Sequence, residues 1–62
     1  MALAVSVKTA GQMTDLNEST IRGAINRQAL PAYRVGRAIR IKVSDLEAWV
    51  DGLVRVGSED DR

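Results

Sequence analysis

NESTIRGAINRQALPAYRVGRAIRIK, residues 17–42, decides how the rest of the chain is read. Its first part has the spacing of an amphipathic helix, and its second part alternates about a glycine, as a β-hairpin does. Asn17 is a good N-cap, because its side-chain carbonyl accepts a hydrogen bond from an unpartnered backbone N–H of the first turn. Glu18 follows in that turn, where the helix dipole favours an acid. Ile21, Ala24 and Ile25 stand at i, i+3 and i+4 and make one apolar stripe. At about 100° per residue, the opposite face centres on Ser19, Gly23 and Asn26, with Arg22 and Arg27 flanking it and Thr20 at its edge.

That face has the chemistry of a DNA major-groove reader. Arg pairs bidentately with guanine, Asn with adenine, and Ser or Thr bonds a base or a phosphate. Gly23 adds to this. A mid-helix Gly costs roughly 1 kcal/mol against Ala, and close approach of the backbone to a ligand is one reason to keep it. A merely solvated helix face of the same composition is the alternative.

Pro31 ends the helical pattern, and AYRVGRAIRIK then alternates. A two-residue loop, Gly36-Arg37, sets Tyr33 opposite Arg40 and Arg34 opposite Ile39, which mixes both faces. A three-residue loop, Gly36-Arg37-Ala38, pairs Val35 with Ile39, Tyr33 with Ile41 and Arg34 with Arg40. The second register separates apolar from basic side chains and is the one expected, since a slip of one residue would undo that separation. It gathers Arg34, Arg40 and Lys42 on one face with Arg37 at the tip. Like charges opposite one another destabilise a sheet, and a facing phosphate backbone relieves the repulsion. The alternative is an edge hairpin that its charges protect from aggregation.

Sixty-two residues with two aromatics, Tyr33 and Trp49, allow one domain and one small core, expected to centre on Trp49. The chain has no Cys and no His. Disulfides, thiolate chemistry, the common zinc sites and histidine bases are thereby excluded. With no nucleophile–base pair either, an enzyme is not expected, nor is a cofactor or metal. The start, MALAVSV, lacks a basic region and is too short for a signal peptide or a membrane span, so a cytoplasmic protein is expected. Net charge is only +1, but it is unevenly spread. Residues 1–42 hold seven Lys/Arg and two Asp/Glu, a net +5, whereas residues 43–62 hold two and six, a net −4. A basic front and an acidic back orient a molecule on a polyanion.

The flanks read as support. Residues 1–5 are an extended lead-in from which Leu3 and Val5 pack on the core. Ser6 caps a first helix over 7–14, with Val7, Ala10, Gly11 and Thr14 on its inner face. Asp15-Leu16 is a tight turn, and Leu16 packs on Ile21 as a hydrophobic staple. After the hairpin, Ser44 and Glu47 have the spacing of a capping box. Leu46, Trp49, Val50 and Leu53 form the inward stripe of that helix, and Asp45, Glu47 and Asp51 its acidic side. The last residues, 55–62, are short, polar and charged, and no folded structure is expected there.

VKTAGQMTDLNESTIRGAI, LPAYRVGRAIRI and SDLEAW, in that order, resemble the small winged helix-turn-helix domain of phage and plasmid excisionases, related to the DNA-binding domain of MerR-type regulators. The resemblance covers about residues 4–51, and LPAYRVGRAIRI joined to SDLEAW is its specific part. It implies an α+β, mainly α fold over residues 1–54: a two-helix helix-turn-helix, a β-hairpin wing and a C-terminal packing helix. It further implies that the second helix enters the major groove and that the wing lies along the neighbouring minor groove or backbone. Ser19, Thr20, Arg22 and Asn26 match the family's recognition-helix positions, and Arg34, Arg37 and Arg40 its wing positions; the residue pattern itself adds Gly23 and Arg27 to the groove-facing candidates and Lys42 to those of the wing. The family usually has Gly in the turn and Gly after the second helix, where this chain has Asp15 and Gln28.

Excisionases, or recombination directionality factors, are not catalysts. The resemblance implies binding to attachment-site DNA, often by several copies side by side, bending of that DNA, and partnership with a phage integrase in prophage excision. The rivals are a minimal transcription regulator on the same fold, which would usually bind an inverted repeat as a dimer, and a protein-interaction module such as an antitoxin or anti-repressor.

Overall fold

A computed structural model describes residues 2–53. Six elements follow in order: β1 (Ala4–Val5), α1 (Val7–Thr14), α2 (Glu18–Asn26), β2 (Tyr33–Val35), β3 (Ala38–Lys42) and α3 (Val43–Asp51). The strands form one antiparallel sheet in the order β1-β3-β2. The fold is α+β, mainly helical, and has the winged helix-turn-helix arrangement. The expected acidic tail over 55–62 lies outside the described residues.

Both helices of the pair start and stop for local reasons. Ser6 Oγ accepts from the Thr9 N–H at 3.1 Å and caps α1; Asn17 Oδ1 accepts from the Thr20 N–H at 2.9 Å and caps α2. Each helix then ends in a Schellman motif, in which a left-handed residue turns the chain back so that two orphan carbonyls are satisfied. After α1 the left-handed residue is Asp15, with φ 61°; Leu16 N–H donates to Gly11 O at 2.9 Å and Asp15 N–H to Gln12 O at 3.4 Å. After α2 it is Gln28, with φ 63°; Ala29 N–H donates to Ala24 O and Gln28 N–H to Ile25 O, both at 2.9 Å. Asp15 and Gln28 thus keep the left-handed backbone although neither is Gly. An L-residue there costs about 1–2 kcal/mol, and Asp is more tolerant than Gln. Gln28→Gly is therefore expected to stabilise the domain by about 1 kcal/mol. For a chain of this size, that raises Tm by about 4–8 °C in a thermal unfolding experiment.

Gly11 explains how closely the turn folds back on α1. A Cβ built on Gly11 would stand 2.7 Å from the Leu16 carbonyl oxygen. The small residue on the inner face of α1 therefore admits the backbone of the turn itself. Val7, Ala10 and Gly11 are buried and Thr14 is half-buried, its hydroxyl donating back to Ala10 O at 2.8 Å. Leu16 packs against the core from the turn.

The core comprises Val5, Val7, Ala10, Ile21, Ala24, Leu30, Ile41 and Leu46. Its largest fully buried side chains are Ile21, Leu30 and Ile41. Trp49, expected at the centre, is instead half-buried against the edge of the cluster. Ile41 holds the centre because β3 is the middle strand. Leu30 lies between elements, in no apolar stripe; it is brought inward by the Schellman turn, with its N–H on Ala24 O at 3.2 Å. The inward stripe expected for α3 is also narrower than its spacing implied. Leu46 is buried, but Val50 and Leu53 are 39% and 47% exposed. Of the lead-in, Val5 packs inward as expected, whereas Leu3 is 85% exposed. The lead-in also contributes a strand, with Ala4 opposite Lys42 and Val5 opposite Ile41.

Two further expectations are corrected. The hairpin pairs Tyr33 with Arg40, Arg34 with Ile39 and Val35 with Ala38, so its loop is Gly36-Arg37. Gly36 has φ 64° at the first central position, as a type II′ turn requires. A buried face would have enforced clean separation, but all three residues of β2 are exposed. Turn chemistry therefore sets the register, and Arg34 does not oppose Arg40. Nor do Ser44 and Glu47 cap α3. The helix starts at Val43, directly after Lys42, with no side-chain cap. The reason is the sheet: Val43 N–H donates to Leu3 O at 2.9 Å, so the strand runs straight into the helix and fixes its start upstream of Ser44.

Candidate nucleic-acid interface

The buried stripe of α2, Ile21 and Ala24 with Ile25 half-buried, turns the other side of the helix outward. Ser19, Arg22, Asn26 and Arg27 are exposed there, and Gly23 is partly exposed. Thr20 is exposed too, but its hydroxyl donates to the Asn17 cap at 3.1 Å, which ties it to the helix start. No protein atom requires Gly23 to be Gly. A Cβ there would meet only the Arg27 guanidinium, at 3.5 Å, an ordinary contact. Nothing larger than a backbone hydrogen thus stands at the middle of the outward face.

The hairpin lies beside α2 across an open cleft of about 440 Å³. Arg22 and Asn26 line it from the helix, Tyr33 and Arg34 from β2, and Ile25, Ala32 and Ile39 form much of its floor. The two-residue loop produces this grouping. It places Arg34 on the Ile39 face of the sheet, and Arg40 and Lys42 on the opposite face with Tyr33. The four wing candidates are therefore divided. Arg34 faces the cleft with Arg22 and Asn26, and Arg37 is exposed in the loop. Arg40 donates to the neighbouring Ile39 carbonyl at 2.8 Å. Lys42 Nζ lies 5.4 Å from the centroid of the Tyr33 ring, and the Tyr33 hydroxyl donates to Asp45 at 3.4 Å. Arg40 is thus held to its own strand, and Lys42 stands with Tyr33 near the first turn of α3.

Glu18, read from the sequence only as an acid that suits the helix dipole, also has a partner on this surface. Glu18 Oε1 lies 3.4 Å from an Arg22 terminal nitrogen. The signal was present, since an acid four residues before an arginine on a helix places the two side by side.

A helix pair joined by a tight turn, a polar outward helix face and a basic hairpin alongside are the features of a DNA-binding helix-turn-helix protein. The model of the family described as "Helix-turn-helix domain" matches residues 4–53, and the chain belongs to that family. No curated protein matches the chain, and no solved structure does. Among the described residues, no helix is long and apolar enough to cross a membrane.

Proposed function

We propose that the protein is an excisionase, a recombination directionality factor that binds attachment-site DNA, bends it and directs a partner integrase toward prophage excision. The DNA-binding part of this reading is carried by the cleft that brings Arg22, Asn26 and Arg34 together between α2 and the hairpin. A helix in a major groove and a wing in the next minor groove straddle one sugar–phosphate strand, and the cleft is where that strand would run. Ser19, Gly23, Asn26 and Arg22 then meet base edges, Arg27 and Thr20 the margins of the groove, and Arg34 and Arg37 the phosphates. Arg40 and Lys42, on the back of the hairpin, contribute less than Arg34 and Arg37. Base contacts specify, and phosphate contacts position.

The finer role rests on the resemblance carried by LPAYRVGRAIRI and SDLEAW, both within the matched residues. The DNA-binding unit would be residues 1–54, acting in the bacterial cytoplasm, with copies side by side on the DNA. Footprinting on attachment-region fragments over a range of protein concentration tests the role. Several same-orientation sites filled cooperatively support an excisionase. A single inverted repeat at a promoter supports a repressor instead. Absence of protection at low salt removes both and leaves a protein-interaction module.

A further inference from the structure

Residues 1–42 contain two acids. Asp15 is the left-handed residue of the turn. Glu18 stands on the otherwise basic surface of α2, in its first turn. Its pair with Arg22 is the only ion pair among the described residues, and it is open to solvent, with the Arg22 and Glu18 side chains 60% and 45% exposed. On its other side Glu18 shares a shallow hollow with Lys8, Gln12 and Asn17, between α1 and the start of α2. A carboxylate here lowers the attraction of this surface for any polyanion, which is unexpected on a face built to meet one.

We propose that Glu18 is a specificity-determining residue that acts through Arg22. This rests on the DNA-binding reading given above. The contact is single, so it engages one of the five N–H donors of the guanidinium and leaves others free to fork onto a base. On a guanine edge, a neutral pair of acceptors, Arg22 keeps its contact with Glu18, and the carboxylate steadies the fork. On a phosphate the same carboxylate is repelled, and Arg22 must leave it to bind. Binding to unrelated DNA consists almost wholly of phosphate attraction, so Glu18 weakens that mode more than the specific one. An acid that only favours the helix dipole would change folding stability and leave discrimination between sequences alone.

The test compares the full-length protein with Glu18→Gln on a duplex enriched by selection with the wild type and on an unrelated duplex of equal length, at one salt concentration. Both proteins are then compared again in an Arg22→Ala background. The variant is expected to bind the unrelated duplex about threefold more tightly or better, since one charge that repels the phosphates is removed. It should gain less on the selected duplex, so the specificity ratio falls. With Arg22→Ala present, the fall in ratio should vanish. Equal tightening on both duplexes, an unchanged ratio, or the same fall without Arg22 would each overturn the proposal. A wild type that binds no duplex would overturn the DNA-binding reading, and the Glu18 proposal with it.

Discussion

Raising monovalent salt from about 50 to 200 mM is expected to weaken binding to an unrelated duplex, on which Arg22 and Arg27 also meet phosphates, about a hundredfold. The magnitude follows from which cations the outer surface presents. Arg22, Arg27, Arg34 and Arg37 are exposed on α2 and the outer parts of the hairpin. Each phosphate neutralised contributes about −0.9 to the slope of log affinity against log salt, so four give about −3.6. Arg40 and Lys42 are left out because one donates to a backbone carbonyl and the other lies over Tyr33, on the far face of the sheet. With all six engaged the slope would be about −5.4. Fluorescence anisotropy of a labelled duplex over this range separates the two slopes. A slope near zero would point to a protein partner instead of DNA.

Gly11→Ala and Gly23→Ala are expected to act in opposite directions on stability, although both put the same methyl group on a helix. At Gly11 the new Cβ meets the Leu16 carbonyl at 2.7 Å. That oxygen belongs to the turn backbone, which the hydrogen bond from Leu16 N–H to Gly11 O holds in place. The chain must shift, at a cost of about 1–3 kcal/mol, a large share of the roughly 3–9 kcal/mol that a domain this small can have. At Gly23 the methyl fits, and the helix gains up to about 1 kcal/mol from the better helix former. The DNA affinity of Gly23→Ala should nevertheless fall, because the methyl stands at the middle of the outward face. Urea titration measures the first pair of effects, and anisotropy the second. Gly23→Ala that is more stable and binds equally well would remove the close-approach role of Gly23.

The helix pair was legible because its signals are local. Ser6 and Asn17 cap where they stand, and the stripes of Val7 with Ala10 and of Ile21 with Ala24 have helical spacing. The left-handed sites were legible only through the family pattern, since Asp15 and Gln28 carry no strong signal of their own. Other features depended on pairing between distant residues. The two-residue strand Ala4–Val5 exists because β3 offers an edge. The same sheet starts α3 before Ser44, which overrides the capping box. Leu30 belongs to no stripe, yet it is more deeply buried than Trp49 because the turn after α2 folds it inward.

The candidate interface divides along the same line. The outward face of α2 followed from the helical period, and the structure keeps every residue of it at or near the surface. The grouping of Arg34 with Arg22 and Asn26 did not follow. It depends on a hairpin register that was read from the separation of faces, a rule with no force on a strand that has no buried face. Two cations moved to the back of the hairpin as a result.

The most direct test of the central claim, that α2 reads bases while the hairpin grips phosphates, is a comparison of three variants on two duplexes. Arg22→Ala and Asn26→Ala should each lose about 1–3 kcal/mol of preference for the selected duplex over an unrelated one. Arg37→Ala should weaken both duplexes alike and flatten the salt slope by about 1. Equal losses on both duplexes from all three variants would contradict that division of labour.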